Sequence, residues 1–272
     1  MNNFFKRTLT AGAFVAVLLG CTFYNQYSFS ILFLVVTALG LMEFYSLAKK
    51  ANSKPLKIIG TTIGALFFIS NSLVCMNLVK IQVLLLFIPL LFVVFLVELF
   101  LKKDNPFTNI SFTILGILYV ALPFSLLNYI LTYTGTYSYQ LLFGIFFILW
   151  SNDSGAYLAG VTMGKHKIFP RVSPKKSWEG SIGGLLASFL VAYIISGWYT
   201  SISFTDWMIV SVIVVILGTL GDFVESLFKR SVDIKDSGNI LPGHGGILDR
   251  FDSLIMAIPF VFAYLYLLKY MF

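Results

Sequence analysis

The chain contains nine stretches of about 20 residues that are rich in apolar side chains and poor in charge. An α-helix of about 20 residues crosses a hydrocarbon core roughly 30 Å thick, so each stretch has the length of one membrane span. A helix also satisfies its own backbone hydrogen bonds inside lipid, where no water is available. The sequence therefore predicts an all-α, polytopic membrane protein with about nine transmembrane helices, at residues 8–24, 28–48, 57–76, 80–101, 108–131, 139–163, 178–198, 205–228 and 251–270.

Composition and segment length argue against a separate soluble domain. Hydrophobic residues make up 58% of the chain and charged residues 11%, whereas soluble proteins average about 45–50% and about 25%. The connections between the apolar stretches are mostly short. We expect two regions: residues 1–131, with five spans and no assigned chemistry, and residues 132–272, a catalytic region with cytoplasmic loops 164–177 and 229–250.

The distribution of Lys and Arg predicts the orientation, because the cytoplasmic loops of membrane proteins are enriched in positive residues. With the N-terminus in the cytoplasm, only Lys80 and Lys269 of the 19 Lys and Arg residues fall in outer segments. Lys6-Arg7 and the apolar run that ends at Cys21 also resemble a lipoprotein signal. Cleavage there would reverse the charge bias of the remaining helices, so we expect the run to remain as the first span.

The net charge of +7 indicates anionic partners. The positive residues fall on one membrane face rather than along a soluble surface, which favours lipid headgroups and nucleotides over nucleic acid. Cys21 and Cys75 lie in apolar stretches without a CxxC pattern, so we interpret both as small hydrophobic residues.

The most polar segment of the chain, residues 226–252, lies between the last two apolar stretches. It contains a glycine-rich run, Pro242 to Gly246, whose backbone can approach a ligand closely. Cations, carboxylates and bare amides together suit a metal-bound polyphosphate, although an ordinary cytoplasmic loop uses the same residue types. The charged residues of the segment are Lys229, Arg230, Asp233, Lys235, Asp236, Asp249, Arg250 and Asp252.

Two carboxylates precede this segment inside an apolar stretch, where each costs roughly 2.5–3.5 kcal/mol on insertion scales. On a helix, Asp222, Glu225, Ser226 and Lys229 share one face through their spacing. Glu225 and Lys229 can form an internal ion pair or act on a ligand. Asp222 lies deeper and, together with Asp249, can supply the hard oxygen ligands that Mg²⁺ takes.

Residues 151–155 place Ser, Asn, Asp and Gly at membrane depth, where such residues must face protein or a wet cavity. Close helix packing explains the small residues but not Asp153, which favours the wall of a polar cavity. In the next apolar stretch, Gly180 and Gly184 are interpreted as helix-packing residues.

The loop at residues 165–176 carries five cations and leads into Ser177, which is predicted to cap the following helix. Lys175 and Lys176 stand just before this helix start, where free N–H groups favour anions. Paired lysines at this position can bind phosphate or can act as a plain topology signal.

Glu43 and Glu98 each lie near a cytoplasmic helix end in the first half of the chain. A carboxylate at such a position can bend toward the interface and reach water. We therefore predict that both side chains are hydrated and have no catalytic role.

The polar segment resembles the signature of a known family, the CDP-diacylglycerol synthases, also called phosphatidate cytidylyltransferases. The resemblance extends upstream and covers about the C-terminal half of the chain, so no site is carried onto residues 1–140. The matching residues are Ser226, Lys229-Arg230, Lys235-Asp236, Gly238, Pro242, His244-Gly245-Gly246 and Asp249-Arg250-Phe251-Asp252, with Asn152-Asp153, Ser173 to Gly180, Gly221-Asp222 and Glu225-Ser226.

The resemblance implies a nucleotidyltransferase of phospholipid biosynthesis. Such an enzyme joins CTP and phosphatidate to give CDP-diacylglycerol and releases pyrophosphate, with Mg²⁺ and a possible second cation as cofactors. It also implies a homodimer in the bacterial inner membrane whose active site faces the cytoplasm. The attacking phosphate monoester has a second pKa of about 6, so it is largely dianionic at neutral pH and needs no general base.

The predicted site follows from the positions of the charged residues and from the family resemblance. Asp222 and Asp249 are assigned to the metal. The remaining catalytic residues are assigned to phosphate groups, and a further set is assigned to substrate binding, with His244 either a phosphate contact or a structural residue. The phosphate-binding cations are Lys229, Arg230, Lys235 and Arg250, and the substrate-binding set is Asp153, Lys175, Lys176, Ser226, Gly243, His244, Gly245 and Gly246.

Two other functions fit parts of the pattern. A CTP-dependent lipid kinase would use a similar site but would transfer the γ-phosphoryl group and release CDP. An ion-coupled transporter would also carry intramembrane Asp and broken helices, but it gives no reason for the long charged loop. The sequence does not distinguish CTP from dCTP or indicate an acyl-chain preference.

Overall fold

The computed structural model describes residues 3–238 and 245–271, with side chains from residue 9 onward. Helices occupy most of this part of the chain, and their positions confirm the all-α prediction. They are α1 Asn3–Tyr24, α2 Gln26–Lys50, α3 Lys57–Cys75, α4 Ile81–Leu101, α5 Pro106–Leu131, α6 Gln140–Met163, α7 Trp178–Ser196, α8 Phe204–Ser231 and α9 Leu248–Met271.

Helices α2 to α9 are each long and apolar enough to cross a membrane. The apolar part of α1, Leu9–Tyr24, is shorter than these eight. Two helices contain irregular turns: α4 begins with a 3₁₀ turn, Ile81–Leu86, and α5 contains a π turn, Ile117–Ala121. The predicted spans therefore match the helices to within a few residues, and the orientation of the chain remains a prediction.

The chain divides into two compact units. The first unit comprises Met1–Tyr129 and Ser231–Phe251, so most of the polar segment belongs with the N-terminal helices. The second unit comprises Ile130–Arg230 and Asp252–Phe272. Each of the two units contains part of the predicted site.

In the first unit, a buried tyrosine connects three helices. Tyr45 of α2 is fully buried, and its hydroxyl donates to the carbonyl oxygen of Thr113 in α5 at 2.8 Å. Its ring lies against Gly60 of α3 and Gly116 of α5, where any Cβ would collide with it. Two glycines thus make room for one large side chain, which packs α2 between its neighbours.

The prediction that Glu98 reaches water is wrong. Glu98 is 1% exposed, and its Oε1 accepts a hydrogen bond from Asn109 Nδ2 at 2.6 Å. Its Oε2 lies 3.7 Å from Lys103 Nζ. The short connection between α4 and α5 brings both partners to the carboxylate, and these contacts replace water.

In the second unit, α6 and α7 pack closely through small residues. A Cβ on Gly184 would meet Asn152 of α6, and a Cβ on Gly180 would meet the carbonyl oxygen of Ala156. The prediction that Gly180 and Gly184 are packing residues is therefore confirmed. Gly155 of α6 contacts α7 in the same way.

Helix α8 is held at both ends of its apolar part. Near its start, Trp207 is fully buried against Gly144 of α6, and its indole N–H donates to Tyr199 at 2.9 Å. Near its other end, Gly221 faces α9, where a Cβ would lie 2.6 Å from the carbonyl oxygen of Asp252. This close approach places Asp222 near Asp252 of α9 within the second unit.

Candidate active site

The loop between α6 and α7 folds back on itself and carries Lys176 toward α8. The amide of Ile168 donates to the carbonyl oxygen of Lys176 at 3.2 Å, and the amide of Trp178 donates to that of His166 at 2.9 Å. Ser177 Oγ accepts from the amide of Gly180 at 3.2 Å, which confirms the predicted helix cap. The backbone around Lys176 is therefore fixed on both sides.

The first turn of α7 also holds the beginning of this loop. Glu179 accepts hydrogen bonds from the amides of Lys165 and His166, each at 3.2 Å. Its Oε1 lies 2.5 Å from His166 Nδ1. A carboxylate in the first turn also faces the positive end of the helix dipole, so these contacts stabilise both the loop and the helix start.

Lys176 forms an ion pair with Asp222. Its Nζ lies 2.5 Å from Asp222 Oδ2, and the two side chains are 29% and 32% exposed. The other oxygen, Asp222 Oδ1, accepts from Ser226 Oγ at 3.2 Å, as the one-face spacing on α8 predicted. Lys176 Nζ also lies 4.8 Å from the centre of the Phe223 ring. Two predicted site residues, one from the loop before α7 and one from α8, are thus in direct contact.

Asp252 is a third member of this cluster. The charges of Asp222, Lys176 and Lys229 all act on its carboxylate, and its Oδ1 accepts from the amide of Ser253 at 2.7 Å. Asp252 belongs to the polar segment and to the family signature, but it was not among the predicted site residues. A signal was present, because a carboxylate inside an apolar span is costly and is usually functional.

The oxygens of this cluster fit a divalent cation that shares its coordination with a substrate. Mg²⁺ is usually held by one or two protein carboxylates together with substrate phosphates, and Asp222 and Asp252 supply such a pair. Among the described residues, no group of three or more His, Cys, Asp and Glu side chains forms a metal site by itself.

A second carboxylate cluster lies in the first unit. Asp249, in the first turn of α9, accepts hydrogen bonds through Oδ2 from Ser237 N at 2.9 Å, Ser237 Oγ at 2.9 Å and Gly246 N at 2.7 Å. Asp249 thereby connects the residues on either side of the segment 239–244. Its position at a helix N-terminus also favours the charged carboxylate.

The prediction that Glu43 reaches water is wrong. Glu43 is 6% exposed, its Oε2 accepts from the amide of Leu248 at 3.0 Å, and the same oxygen lies 3.3 Å from Ser237 Oγ. The donors belong to the polar segment, which in sequence lies some 200 residues away. A distant segment therefore replaces water around this carboxylate.

Glu225 and Lys229 form the internal ion pair that was one of the two interpretations of their spacing. Lys229 Nζ lies 2.6 Å from Glu225 Oε2, and the side chains are only 11% and 2% exposed respectively. A role of Lys229 in phosphate binding remains a prediction.

The other predicted site residues include exposed charged residues and glycines of the polar segment. Five charged residues lie on the surface, where the four cations can meet a hydrated anion: Lys175, Arg230, Lys235, Arg250 and Asp153. Gly245 has a φ of +83°, a conformation that favours glycine, and Gly246 is buried beside it. Gly243 and His244 lie outside the described residues, so their predicted roles stay predictions.

An apolar groove of about 400 Å³ adjoins the Lys176–Asp222 pair in the second unit. Its walls come from α7, α8 and the loop before α7. Trp178, Ile182 and Ile216 are more than half exposed, so the groove opens on the outer surface of the unit. Phe223 lines the groove and contacts Lys176, which places the polar cluster at the edge of the groove. The other lining residues are Ile168, Phe169, Ser181, Leu185, Val212, Val215, Thr219 and Leu220.

Known proteins resemble this chain over about half of its length. A phosphatidate cytidylyltransferase from Haemophilus influenzae is 47% identical over 131 residues, which are 46% of this chain and 45% of the relative. Proteins of the same name from Staphylococcus haemolyticus and Bacillus subtilis are 42% and 39% identical over 58% and 59% of this chain. These two matches span 60% of each relative, so the chain matches only 45–60% of the length of these three relatives.

The family comparison covers more of the chain than any of these relatives. The model of the cytidylyltransferase family matches residues 5–268, nearly from end to end. This range includes both carboxylate clusters, the loop before α7 and all of the predicted site residues. The chain therefore belongs to the cytidylyltransferase family.

Proposed function

We propose that this protein is an integral-membrane phosphatidate cytidylyltransferase that makes CDP-diacylglycerol from CTP and phosphatidate. The observation that carries the proposal is the Lys176–Asp222 pair at the edge of an apolar groove. Phosphatidate needs both surroundings, because its phosphate is charged and its acyl chains are apolar. The names of the bacterial relatives support the same activity.

In the proposed reaction, a phosphate oxygen of phosphatidate forms a bond to the α-phosphorus of CTP. The bond from that phosphorus to the bridging oxygen of the β-phosphate breaks, and pyrophosphate leaves with the electron pair. The attacking phosphate is already largely dianionic at neutral pH, so no side chain has to remove a proton. The residues therefore have to align the reactants and balance their negative charge.

The charged residues of the second unit suit this task. Lys176 would bind the phosphatidate headgroup, since its ammonium group lies beside the groove. Asp222 and Asp252 would hold Mg²⁺, which when bound supplies positive charge to the phosphates and orients them. Asp249 remains a predicted ligand. The exposed cations Lys175, Arg230, Lys235 and Arg250, with Lys229 and the amides of Gly243 to Gly246, remain predicted contacts for CTP and pyrophosphate.

The groove would hold part of an acyl chain of the lipid substrate. Phosphatidate would then reach the polar cluster sideways from the membrane, with the rest of its tails in lipid. We further propose a homodimer in the bacterial inner membrane whose site faces the cytoplasm; the bias of Lys and Arg toward one side supports this orientation.

Product analysis tests the proposed function directly. Protein purified in detergent is incubated with phosphatidate, Mg²⁺ and CTP labelled either in the α-phosphate or in the γ-phosphate. We expect the α-label in a lipid product and the γ-label in pyrophosphate, in equal amounts. A lipid kinase would put the γ-label into lipid and release CDP. Consumption of neither substrate by a folded protein would overturn the proposal.

A bulky residue inside the groove should weaken the binding of long-chain phosphatidate. Thr219→Phe adds a ring between α7 and α8, and overpacking of this kind typically costs about 1–3 kcal/mol. We expect the KM for dioleoyl phosphatidate to rise at least about fivefold, whereas the KM for dihexanoyl phosphatidate changes little. Steady-state kinetics in mixed micelles measure both values.

Leu190→Phe is the control for this prediction. Leu190 lies on α7, is 61% exposed and does not line the groove. A phenylalanine at this position, outside the groove, should leave both KM values unchanged. An equal effect of Thr219→Phe on the long and the short lipid would contradict the assignment of the groove to the acyl chain.

A further inference from the structure

Helix α9 follows an apolar residue at the position where a polar side chain usually caps a helix. Ile247 precedes the helix, and its apolar side chain cannot accept a hydrogen bond from the first free amides. The amide of Leu248 donates instead to Glu43 Oε2 at 3.0 Å. A carboxylate from α2, near the other end of the sequence, thus takes the place of the missing cap.

The Glu43 carboxylate also contacts Ser237, which precedes the segment 239–244. Ser237 Oγ lies 3.3 Å from Glu43 Oε2 and 2.9 Å from Asp249 Oδ2. Ser237 N also donates to Asp249 Oδ2 at 2.9 Å. Glu43 and Asp249 therefore share one serine, and displacement of either carboxylate changes the surroundings of the other.

The backbone around Glu43 leaves little space for rearrangement. A Cβ on Gly238 would lie 2.5 Å from Glu43 Oε1, and a Cβ on Gly246 would also collide with the carboxylate. Glycine at both positions lets the polar segment approach Glu43 from two sides. Burial of an acid in an apolar helix costs free energy, and these contacts explain how Glu43 is accommodated there.

We propose that Glu43 is a positioning residue of the reaction, which acts through the Leu248 amide and Ser237 to hold Asp249 in place. The inference rests on the proposed function, in which Asp249 is a predicted metal ligand. It gives the N-terminal helices, which carry none of the predicted site residues, a defined part in the site.

Glu43→Ala and Glu43→Gln test the proposal against Glu98→Ala as a matched control. Glu98 is equally buried in the same unit but bonds to Asn109, away from the polar segment. We expect Glu43→Ala to raise the Mg²⁺ concentration for half-maximal activity about tenfold. Glu43→Gln keeps an oxygen for the Leu248 amide, so its Mg²⁺ requirement should stay within about threefold of wild type. Glu98→Ala should lower thermal stability without changing this requirement.

Hydrogen exchange gives a readout that does not depend on activity. In Glu43→Ala, peptides that cover residues 245–250 should exchange faster than in wild type, and in Glu98→Ala they should not. If Glu43→Ala does not fold, Ser237→Ala removes the shared hydroxyl and should raise the Mg²⁺ requirement in the same direction.

Three results would overturn the inference. The first is a folded Glu43→Ala protein with wild-type exchange and Mg²⁺ requirement. The second is an unchanged requirement in Ser237→Ala, and the third is an equal loss in Glu43→Gln and Glu43→Ala, which would indicate a role for the charge itself. A wild-type protein that makes no CDP-diacylglycerol would instead refute the proposed function, while the exchange experiment would still test the contacts of Glu43.

Discussion

Asp222→Asn should leave a folded protein whose cytidylyltransferase activity is lowered at least about a hundredfold. The amide keeps an oxygen that can accept from Ser226, but it loses the negative charge that faces Lys176. Removal of one group that stabilises the charge of a transition state typically costs about 10²–10³ in rate. Lipid chromatography of the labelled product measures the activity, and size-exclusion chromatography with thermal unfolding measures the fold.

Asp206→Asn makes the same chemical change at the other end of α8. Asp206 accepts from Ser203 Oγ at 2.6 Å and from Tyr264 OH at 2.7 Å, and it lies far along the helix from Asp222. We expect its activity to remain within about threefold of wild type, because the change removes no charge from the proposed site. Full activity of Asp222→Asn would remove Asp222 from the metal assignment.

The membrane spans could be predicted because they depend on local composition alone. A run of about 20 apolar residues must be a helix in lipid whatever it packs against, and so the predicted ranges match α1 to α9. Side-chain contacts within one helix could also be predicted from the sequence. The hydroxyl cap at Ser177 and the pairs Asp222–Ser226 and Glu225–Lys229 each follow from the spacing of three or four residues on one helix.

The surroundings of Glu43, Glu98 and Asp252 could not be predicted, because they depend on residues from other segments of the chain. An acid near a cytoplasmic helix end has the same local sequence whether it reaches water or is buried. Its state depends on donors from another segment, such as Ser237 for Glu43 and Asn109 for Glu98. The contact of Lys176 with Asp222 also depends on the packing of a loop against α8, which spacing along one helix does not encode.

Single changes in the Glu225–Lys229 pair should destabilise the protein strongly. The two charges are buried and 2.6 Å apart, so removal of one deprives the other of this ion pair. Breaking a buried pair in this way costs about 3–5 kcal/mol. Glu225→Gln and Lys229→Met should therefore each lower the thermal unfolding temperature in detergent by several degrees, measured at matched protein and detergent concentrations.

The double variant Glu225→Leu/Lys229→Met separates stability from chemistry. Replacement of both charges with apolar residues of similar volume is often neutral or stabilising, so its unfolding temperature should return to that of wild type or exceed it. If Lys229 also binds phosphate, as predicted, this restored protein should remain inactive. A stable double variant with wild-type activity would assign the pair to the fold alone, and a double variant less stable than both single variants would contradict the ion pair as the cause of their instability.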